Sequence, residues 1–492
     1  MKKVAVIGAG FSGLAAAACL ADTGFEVSVF EKNLRPGGRA RKFYSKGFVF
    51  DMGPSWYWMP DVFEKFFDKL GKKPGDYYQL VRLDPSYRIY FGKGDYMDVP
   101  ATVEKLCRLF EEMEKGAGNK LLSFLEEAKF KYEVGINKLV YQPGLRWSEL
   151  LQRDVMRGIF KLQLFSSVSS CVRRYFSNPR IIHLLEFPVL FLGATSQKIP
   201  ALYTLMNYAD MALGTWYPQG GMYRVVDAME NLAWEKGVQF FYDHPVDKIN
   251  LHGHSIKSVS HRDGEFAADY VVASADYHHV EQSLLPRSAR KYKTNYWNER
   301  VFAPSSLIFF IGLSKKINGL RHHTLFFDED FALHAAEIYE NPQWPTAPQF
   351  YVSCPSKTDA SVAPEGCENL MILIPVAAGL ADSEEVREKY FQIVIRRLES
   401  LLNEQVAPYV IFKKSYAHRD FVNDYNAYKG NAYGLANTLM QTANLKPSMT
   451  NRKIKNLVYG GQLTVPGPGV PPSIISGQVA AQLIKDKALN KF

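Results

Sequence analysis

The segment KVAVIGAGFSGLAAAACLADTGFEVSVFE at positions 3–31 constrains the fold of this chain more than any other stretch. The run 4–7 predicts a short buried strand, an alanine-rich stretch then predicts a helix, and the run 26–30 predicts a second strand. Three glycines between the first strand and the helix stand in G-x-G-x-x-G spacing: Gly8, Gly10 and Gly13. This spacing predicts a β-α-β unit whose glycine turn and helix N-terminus bind a pyrophosphate.

Glu31 ends the second predicted strand, where a carboxylate accepts hydrogen bonds from a ribose diol. An acid at this position disfavours a 2′-phosphate, so NADP is not predicted for this site. The residues of this segment that we expect to contact the dinucleotide are Gly8, Ala9, Gly10, Phe11, Ser12, Gly13, Glu31 and Lys32.

The run RPGGR at 35–39 resembles the R-x-G-G-R motif of the glutathione-reductase-like flavoproteins, which implies FAD as the cofactor. Its two glycines let the chain approach the cofactor, and Arg39 can neutralise a phosphate. The run DMGPS at 51–55 follows a predicted strand, and in the resembling families this turn passes close to the isoalloxazine ring. The FAD contacts predicted in these two runs are Gly38, Arg39, Pro54 and Ser55.

Later segments supply further strands and turns of a Rossmann-type flavin domain, because such a domain is assembled from stretches that are separated in the chain. A glycine pair at 220–221 precedes a helical pattern, and a second pair at 460–461 precedes a helix predicted at 474–484. The strands predicted in these later segments are 238–242, 246–251, 270–276 and 456–459. The FAD contacts predicted here are Val246, Gly461, Gln462 and Val470.

A chain of 492 residues, of which 47% are apolar, is long enough for two or three lobes. The predicted class is α/β, with a Rossmann-like FAD-binding domain of the glutathione-reductase type, a mixed α+β substrate domain and a helical, membrane-associating region. The predicted limits are 1–75, 216–290 and 440–492 for the first, 76–150 and 291–439 for the second, and 151–215 for the third.

The composition argues against several other classes of protein. The five cysteines are scattered and lack C-x-x-C spacing, so neither a metal site nor a disulfide framework is predicted. No stretch reaches about 18 uninterrupted apolar residues, so a membrane-spanning helix is not predicted. The net charge of +9 comes without a nucleic-acid-binding motif, and nucleic acid is not an expected partner.

Nearly the whole chain resembles the bacterial-type phytoene desaturase family of carotenoid desaturases. The blocks that carry the resemblance are VIGAGFSGLAAA, RPGGRA, GFVFDMGPS, TWYPQGGM, VVASADYHHV, SCPSKTDASVAPEG and GGQLTVPGPGVPPSIISGQ. One departure lies at Val465, where many relatives have a histidine, so a histidine role is excluded there.

The resemblance implies FAD-dependent removal of hydrogen from a long polyene, with a hydride leaving one allylic carbon and a proton leaving its neighbour. Glu149 is the predicted catalytic base, because its segment aligns with a family stretch that carries an acid, and an exposed glutamate at a helix start is the alternative. Four aromatic residues are predicted on the tunnel wall, with core packing as the alternative: Trp56, Tyr57, Trp58 and Trp216. Oxygen or a membrane quinone is the expected electron acceptor, since no second nucleotide-binding fingerprint is present.

Residues 151–180 interleave basic with apolar and aromatic side chains. The basic residues are Arg153, Arg157, Lys161, Arg173, Arg174 and Arg180. This pattern predicts a basic amphipathic helix pair on an anionic bilayer surface, and a cap with a solvated basic face is the alternative. The expected location is the cytoplasm, at the inner face of the cell membrane.

Four further functions fit parts of the pattern. The scaffold also suits a carotene cis–trans isomerase that uses reduced flavin, or an amine or protoporphyrinogen oxidase, although the block PGPGVP favours the carotenoid group. Rab GDP-dissociation-inhibitor-type proteins share the expected fold and bind prenyl chains without flavin chemistry. They are expected to lack the R-x-G-G-R run and the C-terminal flavin segment, and this chain has both.

Overall fold

The computed structural model describes residues 1–146 and 162–489. Its strands are β1 (Lys3–Ile7), β2 (Glu26–Glu31), β3 (Lys42–Ser45), β4 (Phe48–Asp51), β5 (Leu80–Arg82), β6 (Tyr87–Gly92), β7 (Asp95–Val99), β8 (Trp216–Pro218), β9 (Gln239–Tyr242), β10 (Val246–His252), β11 (Ser255–His261), β12 (Gly264–Ala267), β13 (Tyr270–Ala273), β14 (Ser305–Leu313), β15 (His323–Phe326), β16 (Phe350–Ser353), β17 (Glu368–Val376), β18 (Val410–Tyr416) and β19 (Leu457–Tyr459). The α-helices longer than a single turn span Phe11–Ala21, Pro60–Lys69, Val103–Met113, Ala117–Val134, Val168–Tyr175, Pro179–Glu186, Tyr223–Glu235, Thr294–Asn298, Phe331–Tyr339, Glu384–Leu402, His418–Tyr425 and Val470–Ala488.

A parallel sheet of five strands, in the order β19-β13-β1-β2-β9, forms the nucleotide-binding half of the fold. Alternate residues of β1 face opposite sides: Val4 and Val6 join the core of the Phe11–Ala21 helix, and Ala5 and Ile7 join the core beneath β10 and β11. The sheet therefore draws its strands from both ends and the middle of the chain, as the sequence predicted for a Rossmann-like assembly. The predicted domain limits stay a prediction.

A second sheet of seven strands, in the order β18-β14-β17-β16-β15-β6-β7, is antiparallel except for the β15–β6 pair. Its two faces contact different layers because side chains alternate along each strand. Phe309 and Val352 pack with Val394 of the Glu384–Leu402 helix, whereas Ile308 and Tyr351 face the opposite side. That opposite face forms one wall of the site described below.

The described part of the predicted helical region, residues 162–215, pairs its basic residues with acids of the same chain. Arg174 Nη2 lies 3.3 Å from Glu127 Oε2, and Arg180 Nη2 lies 2.5 Å from Asp95 Oδ2. Arg173 forms an ion pair with Glu186. These three residues are thus held by the protein itself, as in the cap alternative. The other predicted basic residues, Arg153, Arg157 and Lys161, lie outside the described residues, as does Glu149.

Within residues 1–146 and 162–489, no helix combines the length and the apolar character that crossing a membrane requires. The same residues contain no cluster of His, Cys, Asp and Glu side chains suited to a metal ion.

The first and last long helices, Phe11–Ala21 and Val470–Ala488, touch backbone to backbone on one face of the parallel sheet. A Cβ on Gly477 would lie 2.2 Å from the Ser12 carbonyl oxygen, so only glycine permits this approach. Within the glycine turn, a Cβ on Gly13 would lie 2.0 Å from the Gly8 carbonyl oxygen. In contrast, a Cβ on Gly10 would meet no atom within 4 Å. The fold therefore requires a glycine at position 13, whereas Gly10 faces open space.

We expect Gly13→Ala and Gly10→Ala to fail in different ways. Gly13→Ala lowers the free energy of unfolding of the FAD-free protein by about 3 kcal/mol or more, because the turn must open. Gly10→Ala leaves that stability nearly unchanged and reduces the amount of FAD bound, because its Cβ enters the space for the pyrophosphate. Thermal unfolding of the FAD-free protein and flavin content after loading distinguish the two variants. Equal loss of stability in both would contradict these assignments.

Candidate functional site

One cavity of about 990 Å³ lies between the parallel sheet and the inner face of the seven-stranded sheet. Nearly all of the predicted FAD contacts line it: Gly8, Gly10, Phe11, Ser12, Glu31, Lys32, Gly38, Arg39, Pro54, Ser55, Val246, Gly461, Gln462 and Val470. The two exceptions, Ala9 and Gly13, belong to the same glycine turn and are buried. The fold therefore brings residues from four separated segments to one space, and their contacts with FAD stay a prediction.

Glu31 holds the glycine turn as well as facing the cavity. Its Oε2 accepts a hydrogen bond from the Ala9 amide at 2.8 Å, and its Oε1 accepts bonds from the Asn33 amide and side chain at 2.9 and 2.8 Å. A carboxylate oxygen can accept more than one hydrogen bond, so these contacts leave capacity for a ribose diol. The sequence predicted only the ribose role, and the structure adds a role in fixing the turn.

Arg39 and Asp276 both line the cavity and interact electrostatically without a direct hydrogen bond. The Arg39 guanidinium donates to the Asn431 carbonyl at 3.2 Å and lies 5.2 Å from the Tyr425 ring centroid. Burial lowers the pKa of Arg39, and Asp276 acts in the opposite direction. Burial raises the pKa of Asp276 to about 6, against the stabilising effect of Arg39. Asp276 was not predicted as a site residue, although it follows β13 at the carboxyl edge of a parallel sheet, where ligands bind.

Four buried polar atoms that line this part of the cavity have no hydrogen-bond partner among the described residues: Ser12 Oγ, Arg39 Nε, Ser274 Oγ and Asp276 Oδ2. Buried polar groups are almost always paired, so this set calls for a polar ligand. The N-terminus of the Phe11–Ala21 helix adds unpaired amides and a positive dipole end. Donors and acceptors of this kind fit the pyrophosphate and hydroxyl groups of FAD.

Asp51 anchors the DMGPS turn, a role that the sequence did not reveal. Its carboxylate accepts hydrogen bonds from the amides of Met222 and Tyr223 at 2.7 and 3.0 Å. Asp51 thereby caps the Tyr223–Glu235 helix and connects it to the turn that carries Ser55. Burial raises the pKa of Asp51 to about 6 despite these hydrogen bonds.

Only two of the four predicted wall aromatics line the cavity. Trp56 and Trp58 do so, and the prediction for Tyr57 and Trp216 is wrong. Residues alternate along the extended segment, so Tyr57 points the other way, stacks on Phe63 at 4.2 Å and bonds to Tyr78 at 2.9 Å. Trp216 forms an antiparallel β-bridge with Tyr57, and the Arg82 guanidinium lies over the Trp216 ring.

The two halves of the cavity differ in charge. Its charged lining residues lie in or beside the segments expected to hold the nucleotide: Glu31, Lys32, Arg39, Asp247, Asp276 and Asp424. The other walls are largely apolar and come from the helical segment, the inner face of the second sheet and the loop at 437–445. Representative members are Leu162, Leu192, Met206, Ile308, Leu373 and Leu439.

The Lys446 side chain is buried beside the C-terminal glycine loop. Its Nζ has no hydrogen-bond partner among the described residues, and neither has Asn437 Oδ1, which lines the cavity. Both atoms lie beside Gly467, where a Cβ would meet them at 3.4 and 3.2 Å. Burial lowers the pKa of Lys446 to about 7. Sequence analysis did not identify this lysine, because nothing in the spacing of its neighbours predicts burial.

We expect Lys446→Met to stabilise the FAD-free protein. Unfolded Lys446 holds its proton up to about pH 10, whereas folded Lys446 loses it near pH 7, so wild-type stability rises across that interval. The variant removes this dependence and raises the free energy of unfolding at pH 7 by on the order of 2–4 kcal/mol. Denaturant unfolding at both ends of the interval measures the effect, and exposed Lys316→Met is the control. A pH profile identical to wild type would show that Lys446 is solvated.

Comparison with known proteins gives a consistent family. A family model described as flavin containing amine oxidoreductase matches residues 11–485. The chain is 41% identical to the carotenoid 3,4-desaturase of Haloarcula japonica, over 99% of this chain and 98% of that protein. It is 33% identical to the zeta-carotene-forming phytoene desaturase of Myxococcus xanthus, over 98% and 93% of the two chains.

Solved structures show the same fold at low identity. An oxidoreductase from Methanosarcina mazei superposes with a TM-score of 0.64 at 16% identity, covering 98% of this chain and 100% of that one. Cyclohexylamine oxidase from Brevibacterium oxydans superposes with a TM-score of 0.59 at 15% identity, covering 99% of each chain. The chain therefore belongs to the flavin-containing amine oxidoreductase family and, within it, to the carotenoid desaturases, which are FAD-dependent oxidoreductases.

Proposed function

We propose that this protein desaturates a carotenoid, either phytoene or a later carotene at its acyclic end, in carotenoid biosynthesis. The observation that carries the proposal is the division of the cavity, whose nucleotide end holds its charged groups and whose other walls are apolar. A hydrocarbon chain has no hydrogen-bonding or charged group that a charged side chain could bind. Its position must therefore be fixed by the shape of an apolar wall.

The same division argues against the two other oxidases of this fold. An ammonium or a porphyrin carboxylate in a dry cavity needs a charged or strongly polar partner. The described walls beyond the nucleotide end contain no charged residue. The names of the relatives agree, because those at 41% and 33% identity act on carotenoids or phytoene, as their names state.

The walls orient the polyene and exclude water, and FAD, when bound, supplies the acceptor of the electron pair. Trp56 and Trp58 add flat aromatic surface where the DMGPS turn meets the apolar walls. We also propose oxygen or a membrane quinone as the final electron acceptor. Glu149 remains the proposed base and lies outside the described residues.

We further propose a peripheral position on the cytoplasmic face of the membrane, with the cavity mouth against the lipid. Phe165 and Met440 line the cavity and are 89% and 70% exposed. Leu439, which precedes Met440 in the chain, also lines the cavity and is 42% exposed. Exposed apolar side chains at the mouth of an apolar cavity suit uptake of a substrate that dissolves only in lipid.

Product analysis in carotenoid-producing cells tests the function. We expect cells that make phytoene, lycopene or a hydroxylated monocyclic carotene to accumulate a product with more conjugated double bonds when they express this chain. Gly10→Ala, which is expected to lose FAD, is the matched control and should leave each pool unchanged. Products from phytoene identify a multistep desaturase, and products only from later carotenes identify a 3,4-type enzyme. A change in cis–trans geometry without a gain of double bonds would indicate an isomerase instead.

The double variant Phe165→Ser, Met440→Ser tests the membrane position. We expect it to bind anionic liposomes more weakly by about tenfold or more, because two large apolar side chains are no longer buried in the lipid. Liposome flotation of the FAD-loaded protein measures the binding. Leu333→Ser is the control, because Leu333 is exposed but does not line the cavity. Unchanged flotation of the double variant would place the lipid contact elsewhere.

A further inference from the structure

Two buried polar atoms without partners meet on one side of the loop at 464–469. A Cβ on Gly467 would lie 3.4 Å from Lys446 Nζ and 3.2 Å from Asn437 Oδ1. Neither atom has a hydrogen-bond partner among the described residues, and both side chains are almost completely buried. Asn437 lines the cavity, and so do the two residues on either side of Gly467. The Lys446 amine is therefore separated from the cavity by little more than the backbone of this loop.

Within the part of the chain that the structure describes, no charged side chain compensates this amine. The loop at 464–469 and the segment 437–445, which precedes Lys446, contain no titratable residue. Burial alone lowers the pKa of Lys446 to about 7, without an opposing effect from any charged group. The amine is therefore largely neutral at mildly alkaline pH, and its ammonium form becomes favourable only when a negative charge appears nearby.

The order of the strands indicates which part of FAD lies beside this loop. Four cavity residues lie at or just beyond the carboxyl ends of neighbouring parallel strands: Glu31 on β2, Gly8 after β1, Asp276 after β13 and Gly461 after β19. A dinucleotide with its ribose at Glu31 and its pyrophosphate at Gly8 extends along this edge toward β19. The flavin ring, at the far end of FAD, then reaches the loop at 464–469, which follows β19.

Reduction of FAD creates a negative charge at that end. A hydride that adds to the flavin makes the ring an anion, and a nearby cation interacts strongly with an anion where water is excluded. The helix Val470–Ala488 begins directly after the loop, and its first residue lines the cavity. Its positive dipole end therefore acts in the same direction as an ammonium group on Lys446.

We propose that Lys446 takes up one proton from the solvent when FAD is reduced, and that its ammonium group then stabilises the negative charge of the flavin ring. The substrate loses a hydride to FAD and a proton to the base, and the proton on Lys446 comes from water. Reoxidation of the flavin removes the negative charge, and Lys446 returns its proton to water, so the cycle balances. The proposal depends on FAD and is independent of which substrate is oxidised.

The pH dependence of the FAD midpoint potential tests the proposal, measured by spectroelectrochemical titration of the FAD-loaded protein without substrate. Each proton bound with the two electrons changes the equilibrium constant of reduction tenfold per pH unit, which is about 30 mV. Between about pH 7.5 and 9, above the pKa of Lys446 in the oxidised protein, we expect two protons and a fall of about 60 mV per pH unit in wild type.

Two variants separate the proton from the charge. Lys446→Met has no amine, so we expect the slope for one proton, about 30 mV per pH unit. Lys446→Arg keeps a charge that does not titrate, so we expect the same one-proton slope. Its equilibrium constant of reduction should nevertheless exceed that of Lys446→Met by about tenfold or more, or about 30 mV. Exposed Lys316→Met is the control and should keep the wild-type slope.

A one-proton slope in wild type would overturn the proposal, and that measurement needs no variant. A two-proton slope that persists in Lys446→Met or in Lys446→Arg would assign the second proton to another group and overturn it as well. Asp276 also lines the cavity, but burial raises its pKa only to about 6, so its own titration lies below this interval. Carotenoid turnover does not enter the measurement, so its outcome is distinct from a failure of the desaturase function.

Discussion

The contact between the first and last long helices is the constraint on which the site depends. Gly477 lies against the Ser12 backbone, and a single methyl group there would separate the two helices. This contact brings the C-terminal glycine loop to the turn that carries Gly8 and Gly10, so both ends of the chain line one cavity. The nucleotide end is therefore complete only when chain segments more than four hundred residues apart have assembled.

Side chains alternate between the two faces of the second sheet, and this alternation decides which residues form the cavity wall opposite the nucleotide end. One face packs against the Glu384–Leu402 helix as an ordinary apolar core, and the other presents Ile308, Leu373 and Tyr351 to the cavity. Charge stays at the nucleotide end, where Arg39 and Asp276 can be satisfied by a polar cofactor. An apolar wall can hold a polyene in position by its shape.

Local patterns in the sequence predicted the strands and turns of the nucleotide end well, because glycine spacing and apolar runs act over short distances. The last helix begins at Val470 rather than at the predicted 474, since Pro471 and Pro472 are tolerated in a first turn that needs no amide donors. Tyr57 was misplaced because one residue decides which side of an extended segment a ring faces. Lys446 and Asp51 could not be predicted, because their burial or their partners come from distant segments.

Hydride transfer from a carotenoid to FAD is the central chemical claim, and anaerobic mixing tests it most directly. FAD-loaded enzyme would be mixed with carotenoid in liposomes without oxygen or quinone, and flavin absorbance and polyene absorbance would be followed together. We predict loss of the oxidised flavin spectrum, with one flavin reduced for each double bond formed. Conversion of the polyene while the flavin stays oxidised, or an unchanged polyene beside a bound flavin, would contradict it.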